Sequence, residues 1–398
     1  MKDSAYRSGK RRHSLEMPFP LRIATFNCEN LFRRSKILHL QDKGQSSALL
    51  DRVSKLQALL ENTDYSETMK QQIFEISCAL HGFIDLRIDS GSLGAWTKDK
   101  NSGSTGFRVY KSCAGRTAWT GQIVFLDEPF QDLQRQNTAR VIAATAADVL
   151  CAVEVEGMDA LGKFNKEALH NQYDQYISID SPNDPRGIDV ACLSKYPVLG
   201  IKTHVFDGYG DFRRVFSRDC LEVELDLGKT VLHVLCNHFK SQRASFPEEA
   251  ERSAAKRRAQ AGRVAAILQQ QYRLDRDWVV VLGDLNEDPA SPYRSLQPLF
   301  DCPDLKPVVN PAASPLQRYT YYYAKGKKDE RLSQLDYIFV STPLARGLKS
   351  FGFVREGIFG IDKAAAAAGA DPVNVYDTVT DWNLSASDHA ALWAQFEL

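Results

Sequence analysis

Short runs of β-branched and other apolar residues recur along the chain, and most begin or end in an acid, an amide or a histidine. They include "LRIATFNCENLF", "VLCAVEVEG", "GIDVACLSKYPV", "RVFSRDCLEVEL", "TVLHVLCNHF", "VVVLGDLNEDP", "LDYIFVS" and "SDHAALWAQFEL". Continuous apolar runs of this length suit strands buried on both faces. A helical period predicts helix over 36–82, where Leu49, Leu50, Val53, Leu56, Leu59 and Leu60 share a face. Further helices are expected at 137–147 and, rich in Ala, Arg and Gln, at 248–271. Residues 91–120 are rich in Gly, Ser, Thr and Lys and read as a loop. "FRVYKSCAGRTAWTGQIVFL" reads as a hairpin turning at Ala114-Gly115. "KAAAAAGADP" at 363–372 reads as a short helical turn running into a loop. Many strands with few long helices predict an α/β sandwich, not a doubly wound parallel sheet.

Composition adds limits. The chain has 398 residues, 43% of them hydrophobic, which is enough for a sizeable core. Its 50 basic and 50 acidic residues cancel, which argues against a protein that coats nucleic acid non-specifically and leaves room for a local basic groove. The eight cysteines form no C-x-x-C pair and sit mostly in apolar runs, so buried reduced thiols in a reducing compartment are expected. Residues 1–20 read as a basic, frayed tail without an apolar signal region, and no apolar run is long enough to span a bilayer. A cytoplasmic protein without a membrane partner is therefore expected; the oligomeric state is not readable.

The polar strand ends carry the chemistry. Asn27 and Glu29 follow "IATF", Glu154 and Glu156 follow "VLCAV", and Asn237 and His238 follow "TVLHVLC". Asp284 and Asn286 follow "VVVLG", Asp336 precedes "YIFVS", and Asp388 and His389 precede "AALWAQF". Taken singly, each is more simply a cap or turn residue. Together they suggest one centre, because strand ends on one side of a sheet converge. Oxygen-rich groups without paired cysteines suit a hard cation, Mg²⁺ or Mn²⁺, and point to hydrolysis at phosphorus.

The set "FNCENLF", "VLCAVEVEG", "FSRDCLEVEL", "NHFKSQ", "GDLNEDP", "LDYIFVS" and "SDHAALW", in this order, resembles the endonuclease/exonuclease/phosphatase superfamily, most of all a bacterial nuclease branch. The resemblance implies a DNase I-like fold: a four-layered α/β sandwich of two packed, mainly antiparallel or mixed sheets flanked by helices. One domain would span 21–398. The segment at 34–136, a helical part plus a β-hairpin, would be a large insertion after the first strand. The resemblance further implies Glu154 as main metal ligand, with Glu156 as fallback because Val153 replaces the usual glutamine. Asn27, Glu29 and Asp388 would stand on the metal side. Asp284 would polarise water and Asn286 position it, while His389, oriented by Asp336, and His238 would act at the phosphate. Asn237, Lys240 and Arg218 would contact substrate phosphate.

Other readings stay open. Arg218 either grips a phosphate or pairs with Asp219 or Glu222. Lys240, Arg243, Arg252, Lys256, Arg257, Arg258 and Arg263 form either a solvated face or a phosphate-backbone track. Arg186 and Asp189 read as a turn and strand start. Trp96, Trp119, Tyr319, Tyr321, Tyr322 and Tyr323 offer faces for base stacking, although "YTYYY" reads more simply as an aromatic strand. The leading expectation is a metal-dependent phosphodiesterase cleaving nucleic acid, endo- or exonucleolytically, DNA ahead of RNA. The alternatives are a phosphatase or phospholipase-C-like hydrolase on the same fold, and a non-catalytic nucleic-acid-binding protein.

Overall fold

The computed structural model describes residues 19–31, 35–37, 40, 43–100, 102–126, 132–183, 187–242, 246–323 and 331–398. The basic tail expected at 1–20 lies almost wholly outside them, as do Arg186 and Arg243. Two six-stranded sheets form the body. In the first, the strands run in the order Leu348–Val354, Ala391–Glu397, Pro20–Leu31, Val149–Val155, Asp189–Ser194 and Gln175–Ser178. In the second, the order is Leu305–Pro307, Asp336–Ser341, Trp278–Asp284, Val231–His238, Cys220–Asp226 and Val198–Lys202. Each sheet has one parallel pair at its centre and antiparallel pairs elsewhere: Pro20–Leu31 beside Val149–Val155, and Val231–His238 beside Trp278–Asp284.

A parallel pair needs a crossover, and helices supply both crossovers. Asp132–Thr145 packs on the outer face of the first sheet and Pro247–Gln271 on that of the second. Between the sheets, Ile23, Cys151, Val153 and Val190 of one meet Val223, Val234, Cys236, Val280, Leu282 and Ile338 of the other, all fully or nearly fully buried. The order helix, sheet, sheet, helix is the α/β sandwich that the strand pattern predicts, with the four layers that the resemblance implies. All eight cysteines are free and seven are buried. Among the described residues, no helix is long and apolar enough to cross a membrane.

The first crossover also carries a module with a core of its own, in which Leu56, Ile73, Leu80, Leu86, Leu93, Phe107 and Trp119 pack together. The single helix expected at 36–82 is two, Lys43–Leu60 and Glu67–Leu80. They are separated at a break where Ser66 caps the second through Met69 N. The expected loop at 91–120 contains a hairpin, Gly94–Lys98 with Thr105–Val109. The expected 107–126 hairpin does not form, because Trp119–Phe125 pairs with Ile84–Gly91. One hairpin is thus nested in another. Gly115, expected to turn a hairpin, packs on the helix break instead; a Cβ there would stand 1.7 Å from Thr63 O.

Candidate active site

The carboxyl ends of both central parallel pairs point to the same pole, and the starts of their antiparallel neighbours join them. Register pairs His238 with Asp284 and Asp284 with Asp336. Gly283 has φ 135°, and a Cβ there would stand 1.9 Å from Asn237 O, so the close approach of these strands excludes any side chain before Asp284. The first sheet reaches the pole through irregular backbone. Its ladder shifts register between Asn27 and Leu31 and again between Val153 and Val155. Glu29, Glu154 and Asn286 adopt left-handed φ values of 49°, 61° and 57°. Each such residue costs on the order of 1–3 kcal/mol and persists only where its surroundings hold it. A bulge or left-handed residue at a strand end re-aims the side chain out of the regular alternation.

Asp284 is the hub. Its Oδ2 accepts from Asn27 Nδ2 and from Asn286 Nδ2, both at 3.0 Å, and its Oδ1 accepts from Asn286 N at 2.9 Å. Two imidazoles flank it, with His238 Nε2 at 3.7 Å and His389 Nε2 at 3.9 Å from Oδ2. His389 Nδ1 donates to Asp336 Oδ2 at 2.8 Å, which turns Nε2 toward the centre. Asp336 N donates to Thr320 Oγ1 at 3.0 Å. Ser387 ties the segment that carries His389 to the first strand, donating to Asn27 O at 2.7 Å and accepting from His389 N at 2.9 Å. At the outer side, Glu154 Oε1 lies 3.9 Å from His238 Nε2, and Asp388 Oδ1 lies 3.8 Å from His389 Nε2.

The electrostatics follow from burial. Asp284 is pushed up to about 8, first by desolvation and then by the charges of Asp336 and Glu154; His389 and the Asn27 amide oppose the rise. For His389, burial disfavours the cation, yet Asp336, Asp284 and Asp388 together carry it well above the usual imidazole range. The two shifts share a surplus of carboxylates, which raises both groups; burial adds to it at Asp284 and opposes it at His389.

That surplus fits a hard divalent cation. Two candidate sets compete. Asp284, Asp336 and His389 bring one ligand atom each within 4.8 Å of one another. Asp284 is engaged there by three amide N–H groups and Asp336 Oδ2 by the imidazole, whereas Asp336 Oδ1 is buried with no hydrogen-bond partner among the described residues. Glu154 and Asp388 keep 17% and 20% of their side chains accessible at the outer edge, where a cation could retain water. Both sets therefore offer oxygen to a cation, the inner one through Asp336 Oδ1 and the outer one beside solvent. Asn27 accepts at Oδ1 from Glu29 N and donates from Nδ2 to Asp284 Oδ2, both at 3.0 Å, so its side chain joins the first strand to Asp284.

One expected residue faces away from the centre. Asn237 is fully buried and donates to Leu235 O, on the face of its strand opposite to His238, so the phosphate contact expected of it is withdrawn. Arg218 is 3% exposed. Lys240 is half-buried, its main-chain N donating to Gln260 Oε1 at 2.8 Å. The basic run divides. Arg257 is buried and pairs with Glu287 at 3.1 Å, and Arg263 pairs with Asp207, while Arg252 and Arg258 are exposed. Of the aromatic residues, Trp119, Tyr319 and Tyr322 are buried. Tyr321, set aside above as strand, has its ring 4.8 Å from that of His389. Thr320 and Ser387 were also missed as site residues; Ser387 had a signal, standing directly before Asp388-His389.

No curated protein matches the chain in sequence. Solved structures with similar folds include truncated TDP2 of Caenorhabditis elegans, 19% identical, covering 67% of this chain and 91% of that one at TM-score 0.43. An AP endonuclease from Archaeoglobus fulgidus is 16% identical, covering 67% and 95% at TM-score 0.44. A beta toxin from Staphylococcus aureus is 17% identical, covering 65% and 92% at TM-score 0.46. The family described as Endonuclease/Exonuclease/phosphatase matches residues 115–362, well over half of the sequence. With its DNase I-like sandwich, the chain belongs to the endonuclease/exonuclease/phosphatase family, whose members are hydrolytic phosphoesterases.

Proposed function

We propose that the chain is a Mg²⁺- or Mn²⁺-dependent phosphodiesterase that hydrolyses nucleic acid, DNA ahead of RNA, by in-line attack of water on phosphorus. The observation that carries this reading is Asp284, a buried carboxylate held by three amide N–H groups between two imidazoles. Asp284 orients the attacking water and takes its proton, a role to which a carboxylate raised above its ordinary range is suited. Asn27 and Asn286 fix its direction. His389, braced by Asp336, and His238 donate to the phosphoryl oxygens as charge builds there. Glu154, with Glu29 and Asp388, would hold the cation. When bound, it supplies positive charge against the phosphate and against the crowd of carboxylates. Lys240 and Arg218 would steady the neighbouring phosphate. A cytoplasmic setting suits eight free thiols. The module with its own core between the first two central strands is read as an insertion in the family fold.

The test is a panel of double-stranded DNA, single-stranded DNA, RNA, inositol phosphate and sphingomyelin, each with Mg²⁺, Mn²⁺ or EDTA. The reading expects DNA cleavage that EDTA abolishes. Cleavage that survives chelation ends the metal assignment, and turnover of only the small or lipid esters moves the enzyme to the phosphatase or phospholipase class.

A further inference from the structure

The loop 203–219 rises from the same pole, because Cys220, where its next strand begins, pairs with Asn237. Apart from Arg218 it takes no part in the chemistry above. Within it Phe206 is 63% exposed and Tyr209 is 40% exposed, with Arg213 and Arg214 exposed beside them. Large rings left in water forgo the burial that other phenylalanines here obtain, and a solvated aromatic cluster usually marks a binding surface.

The support beneath these rings is rigid. Tyr209 and Phe212 exchange both main-chain hydrogen bonds, at 2.9 and 3.1 Å. Asp207 accepts from Arg263 Nε and His204 Nδ1, both at 2.8 Å, and its carbonyl accepts from Val215 N at 2.8 Å. Asn183 Nδ2 donates to Val205 O at 2.6 Å and Phe216 O at 3.0 Å. The ring of Tyr209 lies on Gly262 of the long helix, where an added Cβ would stand 2.7 Å from it. Arg214 donates to Asn183 Oδ1 at 2.9 Å and places its guanidinium 5.2 Å from the Phe206 ring centroid.

Charge points to the class of partner. Asp207 is neutralised by Arg263 and His204, so the exposed charges of the loop are Arg213 and Arg214 against Asp211 alone. Exposed rings interleaved with arginines are what a single nucleic-acid strand uses: bases stack on the rings, and guanidinium forks take the phosphates. The strand that begins at Cys220 is the second neighbour of the one ending at Asp284, about 10 Å away at ordinary strand spacing. We propose that Phe206, Tyr209, Arg213 and Arg214 form a docking platform for a single-stranded stretch of the substrate that leaves the catalytic centre. This rests on the nucleic-acid reading above.

Two measurements test it separately from that reading. The first is fluorescence anisotropy of a labelled oligothymidine of about twenty nucleotides with the full chain carrying Asp284→Asn. Phe206→Ala and Arg214→Gln should each weaken the Kd about tenfold, Phe206→Trp should restore it, and Arg214→Gln should flatten its salt dependence. The second is the ratio of kcat/KM for a long strand to that for bis-p-nitrophenyl phosphate, which should fall in the same variants of the active chain. Oligonucleotide affinity untouched by Phe206→Ala and Arg214→Gln overturns the platform, even if the enzyme proves a nuclease. Variant-sensitive binding without any nucleic-acid cleavage keeps the platform and removes the nuclease reading. Variant-sensitive binding to phosphatidylcholine–phosphatidylserine vesicles, with no oligonucleotide binding, overturns the platform in favour of a lipid surface.

Discussion

Two buried histidines, built almost alike, separate the reactive part of this molecule from its scaffold. His389 is 6% exposed and stands among Asp336, Asp284 and Asp388. His204 is 2% exposed and stands between Asp207 at 2.8 Å and Glu222 at 3.0 Å. Both are raised above the ordinary imidazole range, burial opposing and carboxylates prevailing. The difference lies in what else the carboxylates touch. Around His204 each acid has a second partner: Arg263 for Asp207, and the Tyr272 hydroxyl at 2.7 Å plus Lys202 for Glu222. Glu222 is accordingly lowered in spite of its burial. Around Asp284 the extra partners are amides, which orient a charge without cancelling it, and Asp284 is raised. A closed, balanced cluster holds structure. An unbalanced one is an electrostatic demand that a cation and a phosphate can meet.

Neutralising the hub of each cluster should give opposite results. Asp284→Asn is expected to lower turnover by about two to four orders of magnitude with the fold retained, since the amide removes a buried charge that its surroundings disfavour while giving up at least one N–H acceptor. His389→Ala should lower turnover by a comparable factor. Near-wild-type rates in either variant, read by single-turnover cleavage, would remove the role assignment.

Arg257 tests how far the scaffold reaches into the site. Its guanidinium binds Glu287 at 3.1 Å and donates to Lys240 O at 3.2 Å, so one buried side chain clamps the loop after His238 to the loop after Asp284. Arg257→Met should cost about 3–5 kcal/mol in urea denaturation, because Glu287 would lose its buried counter-charge. A loss within experimental error would show that the two loops hold one another without it.

Much of the centre was legible because it is local: each apolar run and its polar end are adjacent in sequence, and six such ends in order leave few arrangements. Asn237 was misjudged against a rule already available, since neighbouring strand residues face opposite ways and His238 already claimed the inner side. The nested hairpins were not legible, because Ile84 finds Phe125 across a span whose Gly and Ser content hides its few alternating apolar positions. Nor was the contact of Tyr321 with His389, which depends on two strands meeting only in the folded chain. The exposed rings of Phe206 and Tyr209 escaped notice for a similar reason. Their support comes from Gly262 and Arg263, on a helix that the sequence places well downstream.

The balanced cluster makes the smaller predictions. Glu222→Gln should cost roughly 1–3 kcal/mol of stability and leave cleavage per folded molecule unchanged, because Tyr272 and His204 lose a charged acceptor. Its pH signature follows from the two shifts. His204, raised in the folded chain, contributes stability that is fully present below the ordinary imidazole value and is lost as pH rises through its folded value. Glu222, lowered in the folded chain, contributes stability present above the ordinary carboxylate value and lost as pH falls through its folded value. Between those limits both are charged and the cluster is at full strength. The difference in urea midpoint between the wild-type chain and His204→Gln should therefore be widest near pH 6 and shrink toward pH 9. A difference that is flat across this range would mean that His204 is held by packing alone, and the contrast with His389 would then rest on the carboxylates and not on the imidazole.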